Sequence, residues 1–474
     1  MPNIGFQASE CHKGGKLQSA SYIYQPESDC WKIMREGEVC LELGPGYVPV
    51  KVNACGVCAT DLARHHLPFP LPQITGHEVL GETTAGPVVI DINASHQARA
   101  YQVESCAYCS AGLPSHCPER VTLGIDRLPG GFAPFVLAPK NGIYALGNVS
   151  REVATLTEPL AAAMQALKLS APRDQDKVAV LGPRRLGMLL LTALAVHKER
   201  TGSHFDITAI TRHANLLALS ALFGADKGLH GRVVPQESLR EKFDIVYDTT
   251  GNPDGLLQAL NMSRRVVHLK STHGRQVMGL NHLGDLVVEE LSILPLSEHA
   301  LSFAWPGETR NNANVLVTPG VPSNMLPNLP GQKYHVLSPR EAARKLKAPE
   351  FLEGSPLPQF DLAIISSLAE MDVILKPGKG KRSLVRPRGA ILLAPLFGET
   401  PLEDAINGRN LEIHSSRCGN FPEALALLDE YPYMAQLMIE ELITHRFPAS
   451  QLEQALALAA DGNAAIKVVV EHTH

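Results

Sequence analysis

Aromatic residues supply only 5% of this 474-residue chain, and charged residues 19%. Long apolar runs are missing too: none reaches the ~18 residues a membrane-spanning helix needs, so no membrane partner is expected. The opening MPNIGFQASECHKGGK has no apolar core of the kind a signal peptide carries. A basic excess is also absent. Forty-three Lys and Arg face 48 Asp and Glu, a net charge of −5, which leaves no footprint for nucleic acid. Nine cysteines without an export signal read as reduced thiols or metal ligands, and the expected compartment is the cytoplasm. What the chain has in quantity is Gly (38) and Pro (35), which suits short strands joined by tight turns. Its length allows two or three domains with real cores.

Two textures divide the sequence. Residues 1 to about 150 carry short β-prone runs such as YVPVKVNACG, PVVIDINAS and FVLAPKNGIYAL, an all-β pattern with inserted loops. From Glu158 the chain alternates: EPLAAAMQALKLS reads as helix, KVAVLG as strand, RRLGMLLLTALAVHKER as helix, FDITAIT as strand. FDIVYDTTG and RRVVHLKST continue the series. Alternation of this kind predicts βαβ units and a parallel sheet. Five stretches then recur in the same order: KVAVLGP and ANVLVTPG, FDITAITRHANLLAL and KYHVLSPREAARKL, FDIVYDTTG and FDLAIISSL, RRVVHLK and RGAILLA, EELSILPLS and GRNLEIHSS. Such recurrence predicts a duplicated nucleotide-fold unit, although any two parallel α/β stretches share some of it.

Cys58, His77, Glu78 and Glu158 offer the thiolate, imidazole and carboxylate groups that zinc accepts when three protein ligands leave one position open. On spacing alone the carboxylates read equally well as solvated side chains. The motifs CGVCATD (55–61), GHEVLGE (76–82) and LTEPLAAA (156–163) resemble the zinc-dependent medium-chain alcohol dehydrogenases, in the polyol and threonine dehydrogenase branch. VVHLKSTHG, NLEIHSSRCG and LITHRFP extend the resemblance over most of the chain except about 295–395.

The resemblance implies an α/β fold. A β-rich GroES-like catalytic domain would span 1–165, completed by about 440–474. A Rossmann-type domain would span 166–297, and a second, degenerate Rossmann-like unit 298–439. It also implies roles. Cys58 and His77 are zinc ligands, Glu78 and Glu158 carboxylates binding directly or through water, and Asp61 an orienting partner. Thr60 is the hydroxyl that passes on the alcohol's proton, while Cys55 is core. The histidine that ends this relay in some members would stand at Ala63, with His65 or His66 as substitutes. Cys106, Cys109 and Cys117 resemble the family's structural zinc lobe, whose first cysteine would fall at Val103. His96 is the candidate that completes a four-ligand set, the alternative being a metal-free loop.

The stretch VAVLGPRRLG (178–187) follows a strand and opens a helix, the context of a pyrophosphate loop. Gly182, Arg184, Arg185, Leu186 and Gly187 are its candidate contacts. Arg184 stands where the second glycine lets backbone approach the phosphates, so either arginine pairing compensates or tight binding is lost. After the next strand, Thr211 and Arg212 replace the acidic residue that holds an NAD ribose, and Arg212 favours NADP. Thr250 and Lys270 lie at later strand ends, where such sheets contact ligands. The second copy offers only TPGVPS and is not expected to hold a dinucleotide. The expected partner is a small-molecule alcohol or carbonyl substrate. The expected assembly is a homo-oligomer or an intrachain pseudo-dimer. The expected activity is zinc-dependent hydride transfer between an alcohol and NAD or NADP. The rival is a catalytically altered or non-catalytic zinc- and nucleotide-binding member of that family, acting as a sensor or assembly protein.

Overall fold

The computed structural model describes residues 2–102, 104, 106–270, 276–277, 280–297, 313–326, 332–352, 355–395, 400–462 and 464–473. They form two compact units, Met1–Ala161 with Cys418–His474, and Ala162–Arg417.

The first unit opens with an antiparallel meander, β1 (Ile4–Cys11), β2 (Leu17–Glu27), β3 (Cys30–Arg35) and β4 (Glu38–Leu43). A second sheet contains β5 (Tyr47–Gly56), β6 (Glu78–Thr83), β7 (Gly86–Ile90), β10 (Phe135–Pro139) and β11 (Ile143–Ala145). Two late strands join it, β23 (Ile443–Pro448) and β24 (Lys467–Glu471). Its order is β11-β7-β6-β5-β24-β23, with β10 also paired to β5. In β5, Val50 and Val52 are buried while Lys51 between them is exposed, the alternation of a strand with one face on the core. Pairing of Val469 with Gly56 brings β24 against the end of β5, across more than four hundred positions of sequence. Two short strands, β8 (Asn93–Ala94) and β9 (Val121–Thr122), pair and bracket the cysteine-rich loop.

The second unit is built on one eleven-stranded sheet. Its strands are β12 (Lys177–Leu181), β13 (Asp206–Thr211), β14 (Lys227–His230), β15 (Phe243–Asp248), β16 (Ser263–Leu269) and β17 (Ser292–Pro295), then β18 (Asn314–Val317), β19 (Lys333–Val336), β20 (Phe360–Ile365), β21 (Val385–Leu393) and β22 (Glu412–Ser415). The order is β14-β13-β12-β15-β16-β22-β17-β21-β20-β18-β19. FDIVYD and FDLAII are buried at every position, as expected of parallel strands covered on both faces.

The two halves of this sheet repeat each other's local bonding. In one, Lys177 N donates to Asp244 Oδ2 (2.7 Å) and Arg264 Nε to Asp244 Oδ1 (2.6 Å). In the other, Asn314 N donates to Asp361 Oδ2 (2.8 Å) and Arg386 Nε to Asp361 Oδ1 (3.0 Å). Both ladders slip register beside that aspartate. The last strands are exchanged. β17 follows β16 in the chain but pairs parallel with β21, and β22 returns to pair with β16. They meet antiparallel at Ile293 and Ile413. This exchange holds residues 162–417 in one unit, where the sequence suggested a division near 297, and Cys418 onward joins the first unit. After β18 the chain makes a short turn of 3-10 helix, Ser323–Met325, and residues 327–331 lie outside the described residues. Among the described residues no helix is long and apolar enough to cross a membrane.

Candidate metal centre and nucleotide site

Cys58 caps the short helix Ala59–Leu62 just after β5, and His77 and Glu78 stand at the start of β6. The ligand atoms of Cys58, His77 and Glu78 lie within 4.8 Å of one another. Asp61 fastens the two loops that bear them: Oδ2 accepts from Cys58 N (2.8 Å) and Oδ1 from Gly76 N (2.9 Å). Gly76 is required here. Its φ of +93° is in the left-handed region, and a Cβ would come within 2.8 Å of Cys55 Sγ. Cys55 itself is fully buried core, as expected of it. The hydroxyl of Thr60 lies 3.7 Å from Cys58 Sγ.

The electrostatics pair a Cys58 thiolate with a protonated His77 imidazole, so a metal binding there would displace the imidazole proton. Burial opposes charge on Cys58, yet His77 brings its thiol below the ordinary value. Burial likewise opposes charge on His77, but Asp61 and Cys58 together hold it well above the usual imidazole range. His77 Nδ1 is buried, makes no hydrogen bond and lies 3.4 Å from Asp61 Oδ1, leaving Nε2 as the second ring nitrogen. A carboxylate behind the imidazole is the support that metal-ligating histidines commonly have. Thiolate, imidazole and carboxylate together fit zinc with an open position. Glu158 is not in this cluster. It lies half-buried in the first turn of the helix Thr157–Leu169.

Lys467, which the sequence reading passed over, completes the site. Its ammonium donates to Glu78 Oε2 and to Val57 O (3.1 Å), and both side chains are 2% exposed. Gly56 leaves the room, since a Cβ there would clash with Glu78 Oε2. Burial pushes Lys467 down to about 8, against the pull of Cys58 and Asp61. The signal was available: one lysine inside the apolar run AAIKVVVE is a buried charge in need of a partner. Of the relay substitutes, His65 packs beside the turn at Gly15, with the His66 ring 3.8 Å from its own.

A second cluster gathers His96, Cys106, Cys109 and Cys117, again within 4.8 Å. Cys117 Sγ is 3.3 Å from His96 Nδ1 and 3.8 Å from Cys106 Sγ. Val103 lies outside the described residues. Four converging soft ligands have the closed form of a structural zinc site.

In the second unit Gly182 turns the chain out of β12, donating to Ile210 O (2.9 Å). Arg184 caps the helix Arg185–Thr201, in whose first turn Arg185, Leu186 and Gly187 lie. Thr211 ends β13, with Arg212 exposed beyond it. Thr250 bonds back to Asp248 Oδ1 (2.7 Å). Lys270 is buried and donates to Ser416 Oγ (2.9 Å) and Arg417 O (2.8 Å), so two of its donors are used within the protein.

Residues 44–148 match the family model of the alcohol dehydrogenase GroES-like domain. The chain is 30% identical to D-altritol 5-dehydrogenase of Agrobacterium fabrum over 226 residues, 44% of this chain and 64% of that protein. It is 26% identical to L-threonine 3-dehydrogenase of Pectobacterium carotovorum over 271 residues, 52% of this chain and 76% of that one. The match thus spans under two thirds of the altritol enzyme. Among solved structures, galactitol-1-phosphate dehydrogenase from Escherichia coli superposes with a TM-score of 0.53 at 16% identity, covering 98% of this chain and 100% of that one. A Sinorhizobium meliloti 1021 structure designated a zinc-binding dehydrogenase, bound to NADP, gives 0.55 at 17% identity, covering 99% of each. At these identities the structural likeness concerns the fold.

Proposed function

For a chain that carries the alcohol dehydrogenase GroES-like domain and has polyol and threonine dehydrogenases among its homologues, we propose zinc-dependent hydride transfer between an alcohol and a nicotinamide dinucleotide. The substrate class is a secondary alcohol, polyol or hydroxy-amine, or the matching carbonyl. The observation that carries this reading is the convergence of Cys58, His77 and Glu78 beside Asp61. Zinc held there would supply acidification of a coordinated hydroxyl by several units, favouring hydride release to the nicotinamide. The side chains do the rest. Cys58 and His77 would hold the ion, with Glu78 able to contribute a carboxylate oxygen. Asp61 fixes the imidazole. Thr60 takes the alcohol's proton outward, and Lys467 keeps the buried Glu78 carboxylate neutralised. The Cys3His cluster, on this proposal, holds a second zinc that ties down the loop between β8 and β9. Nine free thiols suit a reducing cytoplasm.

Following nicotinamide absorbance across a panel of polyols, secondary alcohols and hydroxy-amines tests the reading. Turnover with at least one class is expected; tight zinc with no turnover and no cofactor binding contradicts it.

We also propose that the two halves of the large sheet arose by duplication and act as an intrachain pseudo-dimer with one dinucleotide per chain. Support comes from the second half's phosphate end, where a protein carboxylate occupies the donors. Glu370 Oε2 accepts from Thr318 Oγ1 (2.9 Å), Ser366 N (2.9 Å), Ser366 Oγ (2.9 Å) and Ser367 N (3.1 Å). Calorimetric titration with NADPH should give one site per chain, and light scattering the mass of a single chain. Two equal sites would refute the assignment.

A further inference from the structure

Between Cys58 and His77 the chain is held by one buried cation. After the helix Ala59–Leu62 comes a turn of 3-10 helix, Arg64–His66, and then the strap LPFPLP, residues 67–72. Prolines 68, 70 and 72 carry no N–H, so the strap cannot build a strand ladder. Its exposure alternates: the three prolines are exposed, while Leu67, Phe69 and Leu71 are half-buried. The far end is pinned. Gln73 exchanges both backbone hydrogen bonds with Cys11 (2.8 and 3.1 Å), and its Nε2 donates to Leu128 O (2.7 Å). The middle hangs on Arg64. Nη1 donates to Phe69 O (3.3 Å) and Nη2 to Pro70 O (2.5 Å), and the guanidinium carbon lies 5.7 Å from the centre of the Phe69 ring.

Arg64 is 0% exposed, and its Nε has no hydrogen-bond partner. Asp61 and Asp126 are close enough to act on its charge, yet they pair with His77 and Arg127 instead. A cation buried without a carboxylate is costly. What the guanidinium provides here is a planar fork that spans two successive carbonyls, which a single ammonium cannot do. Arg64 also follows Asp61 by three positions and Thr60 by four, spacings that share one side of a helical turn. The strap is thereby fastened on the side that bears the Thr60 hydroxyl.

We infer that Arg64 is a positioning residue for the substrate, clamping Leu67–Pro72 as a wall of the pocket beside Thr60. It acts through the strap and not on the reacting atoms. The inference rests on the dehydrogenase reading above for its kinetic consequence, and on the fold alone for the clamp itself, so its test reads the two separately.

Arg64→Gln removes both charge and fork, and Arg64→Lys removes only the fork. Each variant is compared with the wild type by steady-state kinetics on the alcohol turned over fastest, by zinc content and by crystallography. KM should rise by about tenfold or more, because positioning errors of about 1 Å carry such costs. The value of kcat should stay within a few-fold with the zinc content unchanged, since Cys58, His77 and Thr60 are untouched. In both crystals Phe69 and Pro70 should leave the turn Arg64–His66. A wild-type KM in Arg64→Lys would mean that charge and not the fork matters, and overturns the clamp. So does a fall in kcat with KM unchanged, or a strap that stays in place. Should neither variant fold, Phe69→Ala replaces them: it removes the half-buried ring under the cation, and the same rise in KM is expected, whereas an unchanged KM refutes the inference. If the wild type oxidises no alcohol, the dehydrogenase reading falls and the crystals decide: a displaced strap in Arg64→Gln upholds the clamp, and an undisplaced one ends it.

Discussion

Replacing Cys58 with Ser is expected to remove one zinc equivalent per chain and to lower kcat/KM by about three orders of magnitude or more. The size follows from the ion's task, since zinc lowers the pKa of a coordinated hydroxyl by roughly eight units, a shift the remaining side chains do not supply. Thr60 still lies beside the site, but a hydroxyl that accepts a proton cannot make an alcohol more acidic. The matched experiment is Cys117→Ser. Cys117 belongs to the other cluster, 3.3 Å from His96 Nδ1, and contributes nothing to Cys58 or His77. Its loss should also remove one zinc equivalent and lower the melting temperature, while kcat changes by no more than a few-fold. Metal analysis with steady-state kinetics on the two variants separates a catalytic ion from a structural one. If Cys58→Ser keeps full activity, or if Cys117→Ser abolishes it in folded protein, the assignment of roles is wrong.

The second large effect concerns stability. Lys467→Met should destabilise the metal-free protein by roughly 3–5 kcal/mol, the range for removing one partner of a buried ion pair. Methionine fills similar space, so the cost comes from charge. Glu78, 2% exposed, is left without the ammonium that now contacts it. Its remaining neighbours include the Cys58 thiol, which gains nothing from another negative charge nearby. Adding Glu78→Gln to Lys467→Met should recover most of the loss, because the double variant buries no unpaired charge. Lys467→Arg should cost less than Lys467→Met. Denaturant unfolding reads all three. A loss below about 1 kcal/mol for Lys467→Met would mean the pair behaves like a solvated surface bridge and has no hold on Glu78.

What the sequence made legible depended on how far apart the partners lie. CGVCATD and GHEVLGE place Cys58, Asp61, His77 and Glu78 within some twenty residues, and local turns bring them together. Lys467 was not found, because it reaches its site through strand pairing, β24 on β5. Alternating strands and helices marked the parallel sheet, and the recurrence of FDIVYD and FDLAII marked its two halves. The exchange of β17 and β22 was invisible, since either pairing buries the same apolar faces. Glu158 shows the opposite limit. Its motif carries the resemblance, yet its carboxylate is outside the cluster of Cys58, His77 and Glu78.

The central claim is that a divalent ion bridges Cys58 and His77. Crystals grown with zinc and measured at the zinc absorption edge address it directly. The account predicts an anomalous peak about 2.3 Å from Cys58 Sγ and about 2.0 Å from His77 Nε2. A well-ordered site with no such peak, or with the imidazole turned away from the thiol, would contradict it.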